Sequence, residues 1–270
     1  MGKEEKKEKS VGTVTSAVNK PAQSGAVLKK EEKKVENYFS TLDFSTFEMS
    51  MEEMLKSGVH FGHQKSRRNP KMNEYIFTTK KSINIIDLQK TKEKLEEALD
   101  FIEKIKKEGK KVLIVGTRPQ VKNLVKDAAE ACAMPYVVER WLGGTFTNFK
   151  NIRSRAKYLT DSQEKMEKGE FSKYTKFERM KKIEELDKLE ERMGGIKNMI
   201  ELPAAIFVTS IKDDRIAIAE ANKMGIPVIA ISDTNTNPTQ SDYPIPANDD
   251  ALSSVRLILS YVCKTLMVKK

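Results

Sequence analysis

Cysteine is nearly absent from this sequence. Its 270 residues contain only two cysteines, Cys132 and Cys263. They lie far apart, each within an apolar helical pattern, so the sequence predicts neither a disulfide framework nor a paired-cysteine metal site. We therefore expect a protein of the cytosol, where thiols stay reduced.

Long apolar runs are also lacking. No run approaches the ~18 residues that a membrane-spanning helix needs, and the N-terminal residues lack the short apolar stretch of a signal peptide. We expect neither a membrane partner nor secretion.

The glycine motifs that cradle phosphates are missing too. Neither GxGxxG nor GxxxxGK[ST] occurs in the chain. The segment Gly116–Pro119 joins an apolar strand to a helix, a place that suits a nucleotide phosphate, an RNA phosphate or an ordinary tight turn. We expect no nucleotide or other small-molecule substrate here.

The only two histidines, His60 and His63, are three residues apart. This spacing could present both imidazoles to a metal, with Asp87 or Asp233 as a further ligand. Because no third ligand is indicated by spacing, we favour imidazoles that hydrogen-bond to the backbone. We therefore expect no metal, no cofactor and no catalytic residues.

Positive charge is abundant. Lysine and arginine number 49 against 39 acidic residues, which gives a net charge of +10 and a pI near 9.3. Basic groups beside phosphates release condensed counterions, so this balance favours a nucleic-acid partner. A merely lysine-rich protein is the alternative that charge alone leaves open.

The first 48 residues differ from the rest in composition. They mix lysine and glutamate with serine, threonine, alanine and glycine, and contain little that could be buried. We predict a disordered, charged N-terminal extension over residues 1–48. A short amphipathic helix is expected over Met49–Ser57.

Residues 49–150 and 201–270 alternate between apolar strands and amphipathic helices. Continuous apolar strands bracketed by helices indicate a parallel sheet covered on both faces, a doubly wound α/β domain. The predicted strands are Tyr75–Thr78, Ile83–Asp87, Val112–Val115, Tyr136–Val138, Ala205–Thr209 and Pro227–Ser232. The predicted helices are Thr91–Glu108, Pro119–Ala131, Asp213–Met224 and Asp249–Leu266.

Residues 151–200 do not follow this alternation. Two apolar stripes at helical spacing indicate two charged helices that pack on each other as an antiparallel coiled-coil hairpin inserted into the domain. The first stripe is Ile152, Ala156, Leu159 and Met166, and the second is Phe177, Met180, Ile183, Leu186, Leu189 and Met193.

Basic and amide side chains cluster in two stretches and in two shorter segments. Such sets suit phosphate and 2′-hydroxyl contacts, while Trp141 or Phe149 could stack on a base, although burial of Trp141 is favoured. The predicted RNA-binding residues are His60, His63, Lys65, Arg67, Arg68, Asn69, Lys71, Lys80, Lys81, Arg118, Arg140, Asn148, Lys150, Arg153, Arg155 and Lys157.

Several long motifs in fixed order resemble one family, small-subunit ribosomal protein S2 of the bacterial type, over Met49–Lys264. These motifs are MLKSGVHFGHQKSRRNPKM, IDLQKT, VLIVGTRPQ, RWLGGTFTNFKNIRSR, MGGIKNMIELPAAIFV, GIPVIAISDTN and YPIPANDDALSSVRL. Several long motifs are far more specific than any single short signature.

The resemblance implies a flavodoxin-like domain with a coiled-coil insertion, bound to ribosomal RNA at the head–body junction of the small subunit in the bacterial cytoplasm. It also implies late assembly, contacts with neighbouring ribosomal proteins and support for ribosomal protein S1, which captures messenger RNA. By the same resemblance, His60–Lys71 and Arg140–Arg155 face the RNA. The role would be structural and would serve translation.

Two positions depart from the family pattern. Ser210 and Asn237 stand where acidic residues are common, which weakens an ion-binding role for that pair. The competing hypothesis is a nucleotide- or flavin-binding enzyme on the same fold, which the missing phosphate motifs and the scarcity of histidine and cysteine disfavour.

Overall fold

The computed structural model describes Phe39 and residues 49–267. The predicted extension, residues 1–48, lies outside the described residues apart from Phe39. That residue is helical, and its side chain is fully buried in the apolar core, so the packed core begins before the predicted boundary at residue 49. Among residues 49–267 the first helix, α1, is Met51–Lys56, as its apolar spacing predicts.

A parallel sheet of five strands lies at the centre of the domain. Its strands are β4 (Val112–Val115), β5 (Tyr136–Val137), β6 (Ala205–Val208), β7 (Val228–Ser232) and β8 (Tyr243–Pro246). Their order across the sheet is β5-β4-β6-β7-β8, and every neighbouring pair is parallel. Counted from β4, this is the flavodoxin-like order 2-1-3-4-5. The predicted fold class is confirmed.

Helices cover both faces of this sheet. One face packs on α2 (Leu88–Lys107), α3 (Lys122–Ala131) and α7 (Leu252–Met267). The other packs on α6 (Arg215–Met224) and on the base of a helical hairpin, α4 (Phe149–Glu167) and α5 (Lys176–Met193). Alternate residues of each strand point to opposite faces, as with Ile114 and Val115 of β4. Both faces are therefore apolar, which explains the continuous apolar runs.

A second, smaller sheet precedes the parallel one. It contains β1 (Phe61–Gln64), β2 (Ile76–Lys80) and β3 (Ile83–Ile86), all antiparallel, in the order β1-β3-β2. The two predicted strands β2 and β3 exist, but the expectation that they belong to the parallel sheet is wrong. Only two residues separate them, and a connection that short can join only antiparallel strands.

Helix α3 begins later than expected. The sequence predicts a start at Pro119, whereas the first helical residue is Lys122. The intervening residues form a turn in which the backbone N–H of Val121 donates to the carbonyl oxygen of Arg118 at 3.0 Å. Just before this turn, the guanidinium of Arg118 bonds to three aspartates at the sheet edge.

The hairpin helices confirm one end of the predicted apolar seam and not the other. Leu159 and Leu186 are buried together with Phe171, whereas Met166, Phe177 and Met180 are exposed. The seam is therefore apolar at mid-length, where Phe171 of the turn packs with Leu159 and Leu186, while the stripe residues nearest the turn stay exposed. The coiled-coil geometry remains a prediction.

Gly195 closes the hairpin on the strand side. A Cβ atom at this position would lie 2.2 Å from the carbonyl oxygen of Tyr136 in β5. Only glycine lets the chain return this close to the sheet edge, so the base of the hairpin lies directly against the core.

Candidate nucleic-acid interface

Six of the predicted residues surround the small sheet, and we call them the loop surface. They are Lys65, Arg67, Arg68, Lys71, Lys80 and Lys81. All six side chains are exposed. The backbone N–H of Lys65 donates to the carbonyl oxygen of Ser82 at 2.9 Å, which places Lys65 beside the β2–β3 turn that carries Lys80 and Lys81. Residues from two separate stretches thus form one basic area.

Hydrogen bonds to the loop after β7 hold this surface in place. The backbone N–H of Asn69 donates to the carbonyl oxygen of Thr234 at 2.8 Å, and that of His63 donates to the Thr234 hydroxyl at 2.8 Å. A Cβ atom at Gly62 would lie 2.5 Å from the methyl carbon of Thr234. The glycine permits this approach. The side chain of Asn69, a predicted RNA contact, instead accepts a hydrogen bond from the backbone of Lys71 at 3.0 Å.

The other basic cluster lies where the hairpin leaves the core, and we call it the hairpin-base surface. Its members are Arg140, Asn148, Lys150, Arg153, Arg155 and Lys157, all exposed. Because successive helical residues are rotated by roughly 100°, Lys150, Arg153 and Lys157 share one face of α4, whereas Arg155 points to the opposite flank. The sequence alone predicts the cluster; the helix shows that three of its cations form a row.

Most cations of these two surfaces have no carboxylate partner in the part of the chain that the structure describes. Within residues 49–267, no ion pair forms at Lys65, Arg67, Arg68, Lys80, Lys81, Arg140, Lys150, Arg153, Arg155 or Lys157. Some lysines elsewhere are paired, for example Lys94 with Glu97 at 2.8 Å and Lys122 with Glu139. Unpaired cations are free to bind an external anion such as phosphate.

Arg118 differs from the other predicted RNA contacts. Its Nε and Nη2 lie 2.7 Å from Asp213 Oδ2, and its Nη1 donates to the backbone oxygen of Asp249 at 2.6 Å and to Asp250 at 2.8 Å. The guanidinium is thus surrounded by acceptors within the protein. These contacts indicate a role in holding the carboxyl edge of the sheet together.

His63 lies at the same edge between two carboxylates. Its Nδ1 is 3.0 Å from Asp233 Oδ2 and its Nε2 is 3.3 Å from Asp250 Oδ2. The hydrogen bond to Asp233 holds the pKa of His63 above its ordinary value despite partial burial. Among the described residues His60 has no such partner, and burial lowers its pKa. The two histidines therefore have different surroundings and do not act as a pair.

The potential ligand atoms of His63, Asp233, Asp249 and Asp250 lie within 4.8 Å of one another, so the group could hold a metal ion. Burial and the charge of Asp233 raise the pKa of Asp249 to about 6, and its Oδ1 has no partner among the described residues. Asp87, the other carboxylate considered, instead accepts a hydrogen bond from the backbone of Gln89 at the start of α2. The spacing of the histidines could not reveal this group, because its aspartates come from distant loops.

The aromatic residues that sequence reasoning considered for base stacking are covered. Trp141 is buried and contacts Phe146 edge to face, with ring centroids 5.0 Å apart, and Phe149 is partly buried. Exposed rings lie at other positions, among them Phe61, Phe77, Tyr158 and Phe177, which are 48%, 75%, 50% and 71% exposed. Nothing in the sequence around Phe77 distinguishes it from a core residue.

This geometry defines a class of protein: a doubly wound α/β domain with an inserted helical hairpin and two surfaces of unpaired cations suited to a polyanion. No helix within the described residues has both the length and the apolar character that crossing a membrane requires. Residues 54–268 match the family model described as Ribosomal protein S2. The chain belongs to this family and is a structural protein of the small ribosomal subunit.

Proposed function

We propose that this protein binds ribosomal RNA at the head–body junction of the small subunit through its loop surface and its hairpin-base surface. The observation that carries the proposal is the set of ten exposed cations that have no carboxylate partner within residues 49–267. Within the proposed contact, the row Lys150, Arg153 and Lys157 lies along the RNA backbone. Phosphate contacts of this kind fix position and orientation.

The salt dependence of binding tests this proposal. Replacing Arg153 and Lys157 by alanine should lower the slope of log affinity against log salt by about 0.7–0.9 for each phosphate that is no longer neutralised. Binding is measured on small subunits that lack this protein. The matched control replaces Lys92 and Lys94, which pair with Glu96 and Glu97, because it changes the net charge equally. Equal slopes for the two double variants would contradict the proposal.

In this proposal the protein joins the bacterial small subunit late in assembly, in the cytoplasm, and serves translation without catalysing a reaction. The family match supports a structural role. At the carboxyl edge, where a doubly wound enzyme would bind a nucleotide, Asp213, Asp249 and Asp250 surround Arg118. Negative charge at this edge repels phosphate, which disfavours the alternative of a nucleotide- or flavin-binding enzyme.

We also propose that the protein supports docking of ribosomal protein S1. The support is three exposed apolar side chains of the small sheet, Phe61, Phe77 and Ile83, which are 48%, 75% and 39% exposed. Large exposed apolar groups of this kind are typical of protein interfaces. Contact with these apolar side chains would not stabilise an RNA phosphate.

Substitution of Phe77 by alanine tests this docking. Removal of this exposed aromatic ring should weaken retention of S1 on purified small subunits by at least about tenfold. The control is Phe177→Ala in the hairpin, which removes an equally exposed ring, 71% exposed, from another part of the chain. Undiminished S1 on subunits that carry the Phe77→Ala chain would contradict the docking proposal and leave RNA binding intact.

A further inference from the structure

Glu220 of α6 lies beneath the loop that leads into the hairpin, residues 141–147. Its Oε1 accepts hydrogen bonds from the backbone N–H of Gly144 at 2.7 Å and from the indole N–H of Trp141 at 3.3 Å. Its Oε2 accepts from the backbone N–H groups of Phe146 at 3.0 Å and Thr147 at 3.4 Å. One carboxylate thus binds donors of four residues in a single loop.

The backbone of this loop presents several N–H groups to the Glu220 carboxylate. The N–H groups of residues 144, 146 and 147 converge on the two oxygens of one carboxylate, and Gly144 has a φ of +91°, which favours glycine. Three convergent N–H groups form a small anion site. Partial burial would raise the pKa of Glu220, but hydrogen bonds from Gly144 and Phe146 hold that pKa below its ordinary value. The ionised carboxylate is therefore the form that stabilises the loop.

The loop in turn sets the start of α4. The backbone N–H of Asn148 donates to the carbonyl oxygen of Gly144 at 2.8 Å, and the carbonyl oxygen of Asn148 accepts from Asn151 and Ile152 at 3.1 and 3.3 Å. Phe146 is buried against Trp141. A continuous series of contacts therefore links Glu220 to the first turn of the helix that carries the cation row.

We infer that Glu220 is a positioning residue for RNA binding: it fixes loop 141–147 so that Lys150, Arg153 and Lys157 face the RNA. This inference rests on the proposed function. It predicts a change in RNA affinity opposite to the change that net charge alone predicts. Removing a negative charge from a protein that binds a polyanion should strengthen binding, whereas removing the residue that positions the cations should weaken it.

The test compares Glu220→Gln with Glu201→Gln on small subunits that lack this protein. Glutamine keeps the size of the side chain but places an N–H₂ donor against N–H donors. Glu220→Gln should bind about tenfold more weakly, a change that corresponds to about 1.4 kcal/mol. Glu201 is exposed and loses the same charge, so Glu201→Gln should bind as tightly as the unmodified chain or slightly more tightly. Equal or tighter binding by Glu220→Gln would overturn the inference.

A double-mutant cycle separates positioning from a general loss of stability. If Glu220 acts through the cation row, Glu220→Gln should cost much less in a chain that already carries Arg153→Ala and Lys157→Ala. Full additivity would overturn the inference. In amide hydrogen exchange, the unbound Glu220→Gln chain should exchange faster at residues 142–150, with the central strands unchanged.

A shorter carboxylate provides a second variant if Glu220→Gln does not fold. Glu220→Asp keeps the charge but reaches one methylene less far, so it should bind more weakly than the unmodified chain without any change in net charge. Normal binding by Glu220→Asp would count against the inference. If the unmodified chain itself fails to bind the subunits, the proposed function fails; if it binds and the Glu220 variants bind equally well, only this inference fails.

Discussion

Asp214 is a carboxylate buried at the carboxyl edge of the parallel sheet. Its Oδ1 accepts a hydrogen bond from the Thr117 hydroxyl at 2.7 Å, while Oδ2 has no partner among the described residues. Burial raises the pKa of Asp214 to about 6, although the bonds from Thr117 act in the other direction. At neutral pH the folded protein thus holds a buried negative charge that the unfolded chain would carry in water.

We expect Asp214→Asn to stabilise the protein at pH 8 and to change its stability little at pH 4. A carboxyl whose pKa is raised in the folded state takes up a proton more readily when folded, so stability is lost as the pH rises from about 4 to about 6. Asparagine removes this dependence. The gain at pH 8 should be about 1–3 kcal/mol.

Urea denaturation of both chains at the two pH values measures this effect. Asp100→Asn serves as the control, because Asp100 is an exposed aspartate on α2. A gain that is equal at pH 4 and pH 8 would show that the effect does not come from ionisation of Asp214.

The position of Arg118 shows why single residues were harder to assign than clusters. The sequence presents Arg118 as a basic residue in a strand–helix turn, which suits a phosphate. Its acceptors, Asp213 and Asp249, come from loops roughly a hundred residues away, and only folding brings them together. The unpaired cations of α4 were predictable because helical spacing keeps neighbours in sequence close in space.

Among the elements, the buried parallel strands were the easiest to predict. Strand β4 agrees with its predicted bounds, because a strand buried on both faces is apolar at every position. Strand β8 was missed, since Tyr243–Pro246 contains two prolines and lies at the sheet edge, where missing N–H donors are tolerated. Strand β1 was missed because its sequence, FGHQ, has no apolar alternation.

The hairpin is the element whose stability is most local. Its distal core consists of Leu159, Phe171 and Leu186 with the partly buried Leu189. We expect Leu186→Ala to cost about 2–4 kcal/mol in the local stability of α4 and α5, because truncating a buried leucine removes apolar packing and leaves a cavity. Met180→Ala, at a residue that is 62% exposed, should change stability by less than about 0.5 kcal/mol.

Amide hydrogen exchange distinguishes these two hairpin variants. With Leu186→Ala, protection should fall in residues 155–190 and remain in the central strands, since the hairpin can open without unfolding the sheet. A large loss with Met180→Ala would support the predicted full-length seam instead of the observed short one.

Across the whole molecule, the excess positive charge divides into two populations. One group of cations holds the fold together, as Arg118 does between aspartates at the sheet edge. The other has no carboxylate partner among the described residues and includes the clustered cations of the loop and hairpin-base surfaces. A net charge of +10 therefore says little by itself, because only the unpaired cations can release counterions by binding phosphate.

The two populations should respond oppositely to mutation. Arg118→Ala leaves Asp249 buried without its cation, and we expect a cost of about 2–3 kcal/mol at pH 7, below that of a fully buried pair because Asp213 and Asp250 are partly exposed. Below pH 6 the cost should shrink, since Asp249, whose pKa burial raises to about 6, then takes up a proton. For Arg118→Ala, the slope of log affinity against log salt in RNA binding should not change.

Arg153→Ala should lower that slope by about 0.7–0.9 and leave stability unaffected. Urea denaturation and binding to subunits lacking this protein, measured on both variants, test this division; a reduced slope for Arg118→Ala would place Arg118 on the RNA.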